Sequence, residues 1–346
     1  MRSLLVALAF FLGLSVVPLR AQAGEARHDA VINGVRLAYW TSRPIGRTDV
    51  PVLFLHGGPG YNSYSFRMTA GQALDARYPM VYLDERGSGE SERPWRGDYA
   101  LPTLVEDIEG LRRRLGVRRM VVAGHSFGGT LAVEYAQTHP EHVARLILID
   151  AAVDLPGAME SWVHTLATQF PAAYAAAERS AAGKALRAVP PGDTCALARA
   201  RMAFVGAGTA TLPRGRVFHD RQQFHEPAAK AEQERLDAQS GLRNTGEIGA
   251  ALMAPGSGFI CYSVTHPERL RMPTLVLVGA HDRAVGVAPQ RALANRLADA
   301  TLVVFPDSAH FPYQEEPAAF LQAVDRFMGR GASVASKPDH VPMRRR

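Results

Sequence analysis

The chain has 346 residues, two cysteines and a formal net charge of +6. Arg2, Arg20, Arg344, Arg345 and Arg346 carry five of those six charges, which leaves +1 for the body between the ends. A near-neutral body excludes a nucleic-acid footprint spread over the fold, and neither cysteine lies in a C-x-x-C metal-ligand cluster.

The first 23 residues have the form of a secretory signal peptide. Met1-Arg2 is a short positive start, Leu4 to Val17 is apolar, and Ala21-Gln22-Ala23 is a small-x-small cleavage site. The apolar run is shorter than the roughly 20 residues a membrane span needs, and no later stretch is long and apolar enough. The mature chain is therefore expected to begin at Gly24, in the periplasm or outside the cell. That compartment is oxidising, so Cys195 and Cys261 are expected to form one disulfide.

Between residues 29 and 41, alternating apolar residues flank Asn33-Gly34, the strongest short hairpin signal. Val52 to His56 and Met80 to Asp84 read as buried strands. Thr103 opens a predicted helix, with Glu106 completing a capping box, that runs to about Leu115. Met120 to Ala123 is a strand, Thr130 to Ala136 is helix-like, and Leu146 to Asp150 is the next strand. Near-continuous apolar strands separated by helices predict an α/β fold: a mostly parallel sheet with helices on both faces.

The alternation stops after Asp150. From about Val153 to Thr265 the chain is rich in Ala, Arg and Gln without a strand run. It resumes at Thr274 to Val278 and Thr301 to Phe305, and ends in a helix from about Pro317 to Met328. The predicted organisation is a core in two parts, 24–151 and 269–331, with a helical cap inserted at 152–268 and a disordered tail at 332–346. An insertion placed there lies over the carboxyl ends of the strands, where open α/β sheets bind ligands, as a lid.

Gly124-His125-Ser126-Phe127-Gly128 joins a strand to a helix, the context in which G-x-S-x-G is a nucleophile elbow. A serine hydroxyl needs an adjacent base oriented by a third group. In the elbow arrangement these follow in the order Ser, acid, His. Asp282 follows the strand 274–278 and His310 follows the strand 301–305, so Ser126, Asp282 and His310 are the candidate triad. Asp307 and Asp150 are rivals for the acid, and His281 for the base. The oxyanion donors are expected to be the N–H of Phe127 and one from His56-Gly57-Gly58-Pro59-Gly60, with Gly58 first and Gly57 next. No Walker loop, zinc cluster or dinucleotide fingerprint is present, so no cofactor is expected.

Three segments carry a family resemblance: His56-Gly57-Gly58-Pro59-Gly60, then Asp84-Glu85-Arg86-Gly87-Ser88-Gly89-Glu90-Ser91, then Gly124-His125-Ser126-Phe127-Gly128-Gly129 with Tyr135-Ala136-Gln137-Thr138-His139-Pro140. The chain resembles an α/β-hydrolase of the proline iminopeptidase family. The resemblance implies removal of an N-terminal proline or similar residue from a small peptide, with cap acids holding the substrate's amino group. Glu226, Glu232, Glu234 and Glu247 are candidates, and Glu247, between Gly246 and Gly249, is favoured. Glu85 departs from the family's frequent glutamine. Trp162 is the only tryptophan of the insertion, where a bacterial subgroup has a tryptophan-rich segment. An esterase, lactonase or other small-molecule hydrolase is the alternative, and a binding protein that keeps the fold without turnover is a third reading.

Overall fold

The computed structural model describes residues 25–329, apart from 214, 215, 243–245 and 255. The expected signal peptide and the expected tail lie outside the described residues. One eight-stranded sheet organises the chain, in the order β1-β2-β4-β3-β5-β6-β7-β8. The strands are β1 Ala26–Ile32, β2 Val35–Thr41, β3 Val52–Leu55, β4 Met80–Leu83, β5 Met120–His125, β6 Val143–Ile149, β7 Thr274–Gly279 and β8 Ala300–Phe305. β1 pairs with β2, and β2 with β4, in antiparallel register. All other pairs are parallel.

The local chemistry explains most of this. Asn33 and Gly34 both take positive φ, 48° and 78°, as a tight hairpin turn with right-handed twist demands. β5 reads as an unbroken apolar run because both faces are covered. Met120 and Val122 enter the core under the helices Leu101–Leu115 and Phe127–Thr138. Val121 and Ala123 enter the opposite core with Phe66, Leu74 and Phe320.

Two local expectations change. The helix predicted from Thr103 begins at Leu101, with Ala100 as its N-cap and Pro102 in its first turn. Thr103 Oγ1 donates to the Asp98 carboxylate at 3.1 Å and so caps nothing through Glu106. Proline is pre-organised for the first turn and needs no N–H partner there, so it sets the start. Residues 64–75 form a further helix that the sequence pattern leaves unassigned. Its middle, Arg67–Gly71, is a π-helical turn.

The segment from Asp84 to Ser91 is a staple under the sheet's rim. Asp84 Oδ1 accepts from Ser63 N–H at 2.8 Å and Oδ2 from Glu90 N–H at 2.9 Å. Ser91 Oγ donates to Asp84 O and accepts from Ala38 N–H. Arg86 makes a buried two-pronged pair with Asp107, at 2.5 and 2.6 Å. Gly89 passes so close to the Asp84 carboxylate that a Cβ would collide with it.

Among the described residues, 155 to 253 hold helices and no strand, from Leu155–Gln169 to Glu247–Met253. A single antiparallel bridge, Asp154 to Ser263, closes the base of this insertion. The cap is tied to the core by backbone. The carbonyls of Gln222 and Gln223, at the end of the helix Arg216–Gln223, accept from the N–H groups of Arg283 (3.1 Å) and His310 (2.9 Å). Trp162 Nε1 donates to Ala284 O at 2.7 Å.

Cys195, in the helix Thr194–Thr209, is bonded to Cys261 across a sequence separation of 66. The bond pins that helix to the turn Phe259–Cys261. In the chain-entropy account, a closed loop of that length stabilises by about 4 kcal/mol. Reduction under native conditions should therefore lower Tm by on the order of 10 °C. Circular dichroism melts with and without reductant, alongside Cys195→Ser, check this; an unchanged Tm would remove the bond from the stability of the cap.

Candidate active site

Ser126 sits between the end of β5 and the helix Phe127–Thr138, at φ 53° and ψ −119°. A non-glycine residue there is strained, at a cost of about 1–3 kcal/mol. Three backbone bonds hold it. Its N–H donates to Ile149 O, and its carbonyl accepts from Gly129 N–H and Ala152 N–H, at 2.9–3.0 Å. The small neighbours are required by contact: a Cβ on Gly124 would strike the Gly128 backbone, and a Cβ on Gly128 would strike the carbonyls of Leu55 and His56.

His310 and Asp282 reach the same rim from the loops after β8 and β7, and both are buried. His310 Nδ1 and Asp282 Oδ2 are 3.1 Å apart. Asp282 Oδ1 also accepts from the N–H groups of Ala284 (2.7 Å) and Val285 (3.2 Å). Burial works against its charge, but His310, Asp150 and the Val285 N–H together hold the Asp282 carboxyl below the usual carboxylate range. Ser126 and His310 line the same two cavities. No hydrogen bond between them is closed in this conformation; such contacts commonly tighten only with substrate bound.

Two of the rivals fall elsewhere, and the third, Asp150, stays beside Asp282 and His310. Asp307 is exposed and donates its N–H to Glu316. His281 stacks on His225, ring centroids 3.8 Å apart. Asp150 lies behind Asp282, fully buried.

On the other side of Ser126 stands the glycine loop. Gly57 packs on the serine itself, since a Cβ there would lie 2.9 Å from Ser126 Cβ and 3.1 Å from His125 Nδ1. Gly58, at φ +126°, lines both cavities with Ser126, and Phe127 opens the helix and lines one of them. Beneath the loop, His56 Nδ1–H donates to Gly57 O at 2.8 Å while its Nε2 accepts from Glu85 N–H at 3.3 Å. Burial pushes the Glu85 carboxyl well above the usual range, with Asp84 adding to it, and burial also pushes His56 down. Both are neutral.

Two chambers meet at Ser126. The first, about 280 Å³, is polar and includes Tyr61, Asp220, Lys230, Gln233, Glu234 and Asp237. Asp220 pairs with Lys230 at 3.4 Å, and Glu234 with Lys230 at 2.7 Å. Asp237 Oδ1 accepts from the Tyr61 hydroxyl and from Gln233 Nε2. The second chamber, about 220 Å³, is lined by Leu155, Met159, Trp162, Phe259, Val285 and others, and no carboxylate or ammonium lines it.

Glu247 stands apart from both chambers. It lines neither chamber, its side chain is 45% exposed, and it pairs with Arg93 at 3.0 Å and accepts from Tyr99 OH at 3.2 Å. As the first residue of the helix Glu247–Met253 it meets that helix's positive end. Glu226 and Glu232 also lie outside both chambers, whereas Glu234 lines the polar one. Asp220 and Asp237 are site acids that the sequence reading does not single out. A signal is present: Lys230, Gln233, Glu234 and Asp237 recur at i, i+3, i+4 and i+7 along the helix Pro227–Ser240, one polar stripe facing one way.

Residues 50–317 match the alpha/beta hydrolase fold family. Over 128 residues the chain is 39% identical to a proline iminopeptidase of Neisseria meningitidis; the match covers 34% of this chain and 37% of that protein. The chain thus matches little more than a third of the length of that curated relative. A proline iminopeptidase-related protein from Thermus thermophilus superposes with a TM-score of 0.69 at 24% identity, covering 88% of this chain and 98% of that one. An esterase from Exiguobacterium antarcticum gives 0.60 at 18%, covering 88% and 100%. At these identities the two structures support the fold alone. Among the described residues, no helix is long and apolar enough to cross a membrane.

His125 offers a test of the site's electrostatics. Its Nε2 meets the His310 carbonyl at 2.8 Å, and burial, then the neighbouring His310, push it from 6.5 down to about 3. The unfolded chain binds this proton near pH 6.5 while the folded one refuses it until about pH 3. The stability that comes from keeping His125 neutral is complete above pH 6.5 and is lost as pH falls toward 3. The Tm advantage of wild type over His125→Gln should therefore shrink steadily across that range. A gap that stays constant with pH would contradict the assignment.

Proposed function

Since the chain belongs to the alpha/beta hydrolase fold family, we propose that it is a serine hydrolase that removes an N-terminal residue, proline or similar, from small peptides. The observation that carries the reading is the polar chamber. Beside Ser126 and His310 it presents Asp220, Glu234 and Asp237 against one ammonium, Lys230. An acid-rich chamber of that size suits a substrate with a free amino group.

The chemistry follows from the residues in place. Ser126 Oγ attacks the scissile carbonyl, and His310 Nε2 takes its proton as the hydroxyl adds. Asp282 fixes the imidazole so that Nδ1 carries the other proton, and it stabilises the imidazolium that forms. The N–H groups of Phe127 and Gly58 receive the developing oxyanion, at the N-terminal end of a helix. His310 then protonates the leaving amine, and water, activated by the same base, releases the acyl group from Ser126.

The chamber without a carboxylate or ammonium favours a second reading. It would accept an apolar acyl group, and short-chain ester hydrolysis on the same triad is the alternative. Export is also proposed: the disulfide fits an oxidising compartment, and N-terminal sequencing of the secreted protein should begin at Gly24.

Ser126→Ala should lower kcat by several orders of magnitude, on the scale of triad removal. A fluorophosphonate should label wild type at Ser126; labelling at another residue would overturn the triad. For the substrate, Asp237→Asn should cost about 2–5 kcal/mol in kcat/KM on a prolyl arylamide, because a buried ammonium loses its partner. The rate on a short-chain aryl ester should stay nearly constant. If wild type turns over the ester and never the arylamide, the esterase reading replaces the peptidase one.

A further inference from the structure

Asp150 directly follows β6, at φ 41°, and its side chain is wholly buried. Its Oδ1 accepts from Gly279 N–H at 3.0 Å. Its Oδ2 is also buried and meets no hydrogen-bond donor. One carboxyl oxygen of Asp150, one of Asp282 and one ring nitrogen of His310 all lie within 4.8 Å of one another. So a second acid stands against the triad acid, within reach of the base, and the triad chemistry has no task for it.

Two carboxylates in contact inside a protein cannot both ionise. The donors decide which one does. Asp282 receives two backbone N–H groups and the His310 imidazole. Asp150 receives one N–H. The charge therefore belongs on Asp282 and the proton on Asp150. A buried carboxylic acid needs an acceptor for its O–H, and Asp282 is the one facing it. Burial, then Asp282, push the Asp150 carboxyl well above the usual range, and Glu315 adds to this from the helix Pro312–Glu315. The groups facing Asp150 are thus Asp282, His310, Glu315 and the Tyr313 phenol, which burial and, with it, Asp150 push up.

We propose that Asp150 is a positioning residue for catalysis: its carboxyl O–H donates to Asp282, and when Asp282 is lost Asp150 gives up that proton and becomes the carboxylate that orients His310. No atom is gained or lost in the first role. In the second, the proton passes to solvent, leaving a carboxylate to accept Nδ1–H.

The proposal rests on Ser126 being an activated nucleophile, so the experiment measures that directly and needs no substrate. The rate of fluorophosphonate labelling of Ser126 is followed from pH 5 to 9 for wild type, Asp150→Asn, Asp150→Leu, Asp282→Asn and the double Asp150→Asn/Asp282→Asn. Amide replacements keep shape, and Tm checks the fold of each. Asp150→Asn retains a donor to Asp282 and should label within about threefold of wild type, whereas Asp150→Leu should fall about tenfold or more. Asp282→Asn should fall only about 10- to 100-fold and recover as pH rises and Asp150 ionises. The double variant should fall to about 10⁴-fold below wild type, the scale of losing the orienting acid, without that recovery.

If Asp282→Asn alone already reaches the level of the double, or if Asp150→Asn is as damaging as Asp150→Leu, Asp150 is no more than a structural anchor and the proposal is overturned. The Asn and Asn/Asn comparisons decide this even if Asp150→Leu does not fold. Failure of wild type itself to label would overturn the serine-hydrolase reading and, with it, this one.

Discussion

The backbone at Ser126 is the constraint on which the rest of the structure depends. A serine at φ 53° is held against its preference by hydrogen bonds to β6 and to its own helix. Those bonds exist only if β5, β6 and the helix Phe127–Thr138 meet at van der Waals limits, and they meet there because Gly124, Gly128 and Gly129 carry no Cβ. The same closeness brings Gly57 onto the serine. The strained turn thus fixes Ser126, the helix end and the glycine loop in one rigid unit, and pre-organisation of this kind is what the proposed oxyanion stabilisation requires.

The second constraint is charge in a dry place. His56, Glu85, His125, Asp150, Asp282 and His310 are all buried within the rim of one sheet. Left ionised together they would repel and would lack water. Burial instead drives Glu85 and Asp150 toward the neutral acid and His56 and His125 toward the neutral imidazole. One carboxylate, Asp282, keeps its charge because His310 and two N–H groups face it. The result is a cluster in which burial disfavours charge at Glu85, Asp150, His56 and His125, while the neighbours of Asp282 favour its carboxylate.

How much of this is legible in the sequence follows from the same physics. β3 to β8 are legible because strands covered on both faces are continuous apolar runs, and the hairpin because Asn-Gly answers a backbone demand. Ser126, Asp282 and His310 are legible because each stands just past a strand end. The helix at 64–75 is not, since Tyr64-Ser65-Phe66-Arg67-Met68-Thr69 has neither a clean apolar stripe nor a cap. Thr103-x-x-Glu106 matches a capping box, but Pro102 one residue earlier has the stronger claim on the first turn. Glu247 attracts attention through its flanking glycines, a backbone property that does not say where a side chain points. Asp237 does not, although it shares a helical stripe with Glu234. The stripe identifies a face; whether that face is turned to the cleft depends on Tyr61 and Gln314, which contact Gln233 and Asp237 from distant parts of the chain.

The two chambers at Ser126 give selectivity a physical basis. An ammonium moved into the chamber of Leu155, Met159 and Phe259 would leave water for a space without a carboxylate, a loss no apolar contact offsets. The same ammonium in the chamber of Asp220, Glu234 and Asp237 finds acceptors already in place, with Lys230 setting the net charge it must meet. An apolar acyl group has the opposite preference, because it would strip water from those carboxylates for nothing in return. Under the proposed peptidase reading, a substrate apolar at one end and cationic at the other would be oriented across Ser126 by these two chambers. The cap enforces that orientation because it is no free lid. Its carbonyls at Gln222 and Gln223 hold the backbone beside Asp282 and at His310, so a movement that opened the chambers would also shift the loops that carry Asp282 and His310.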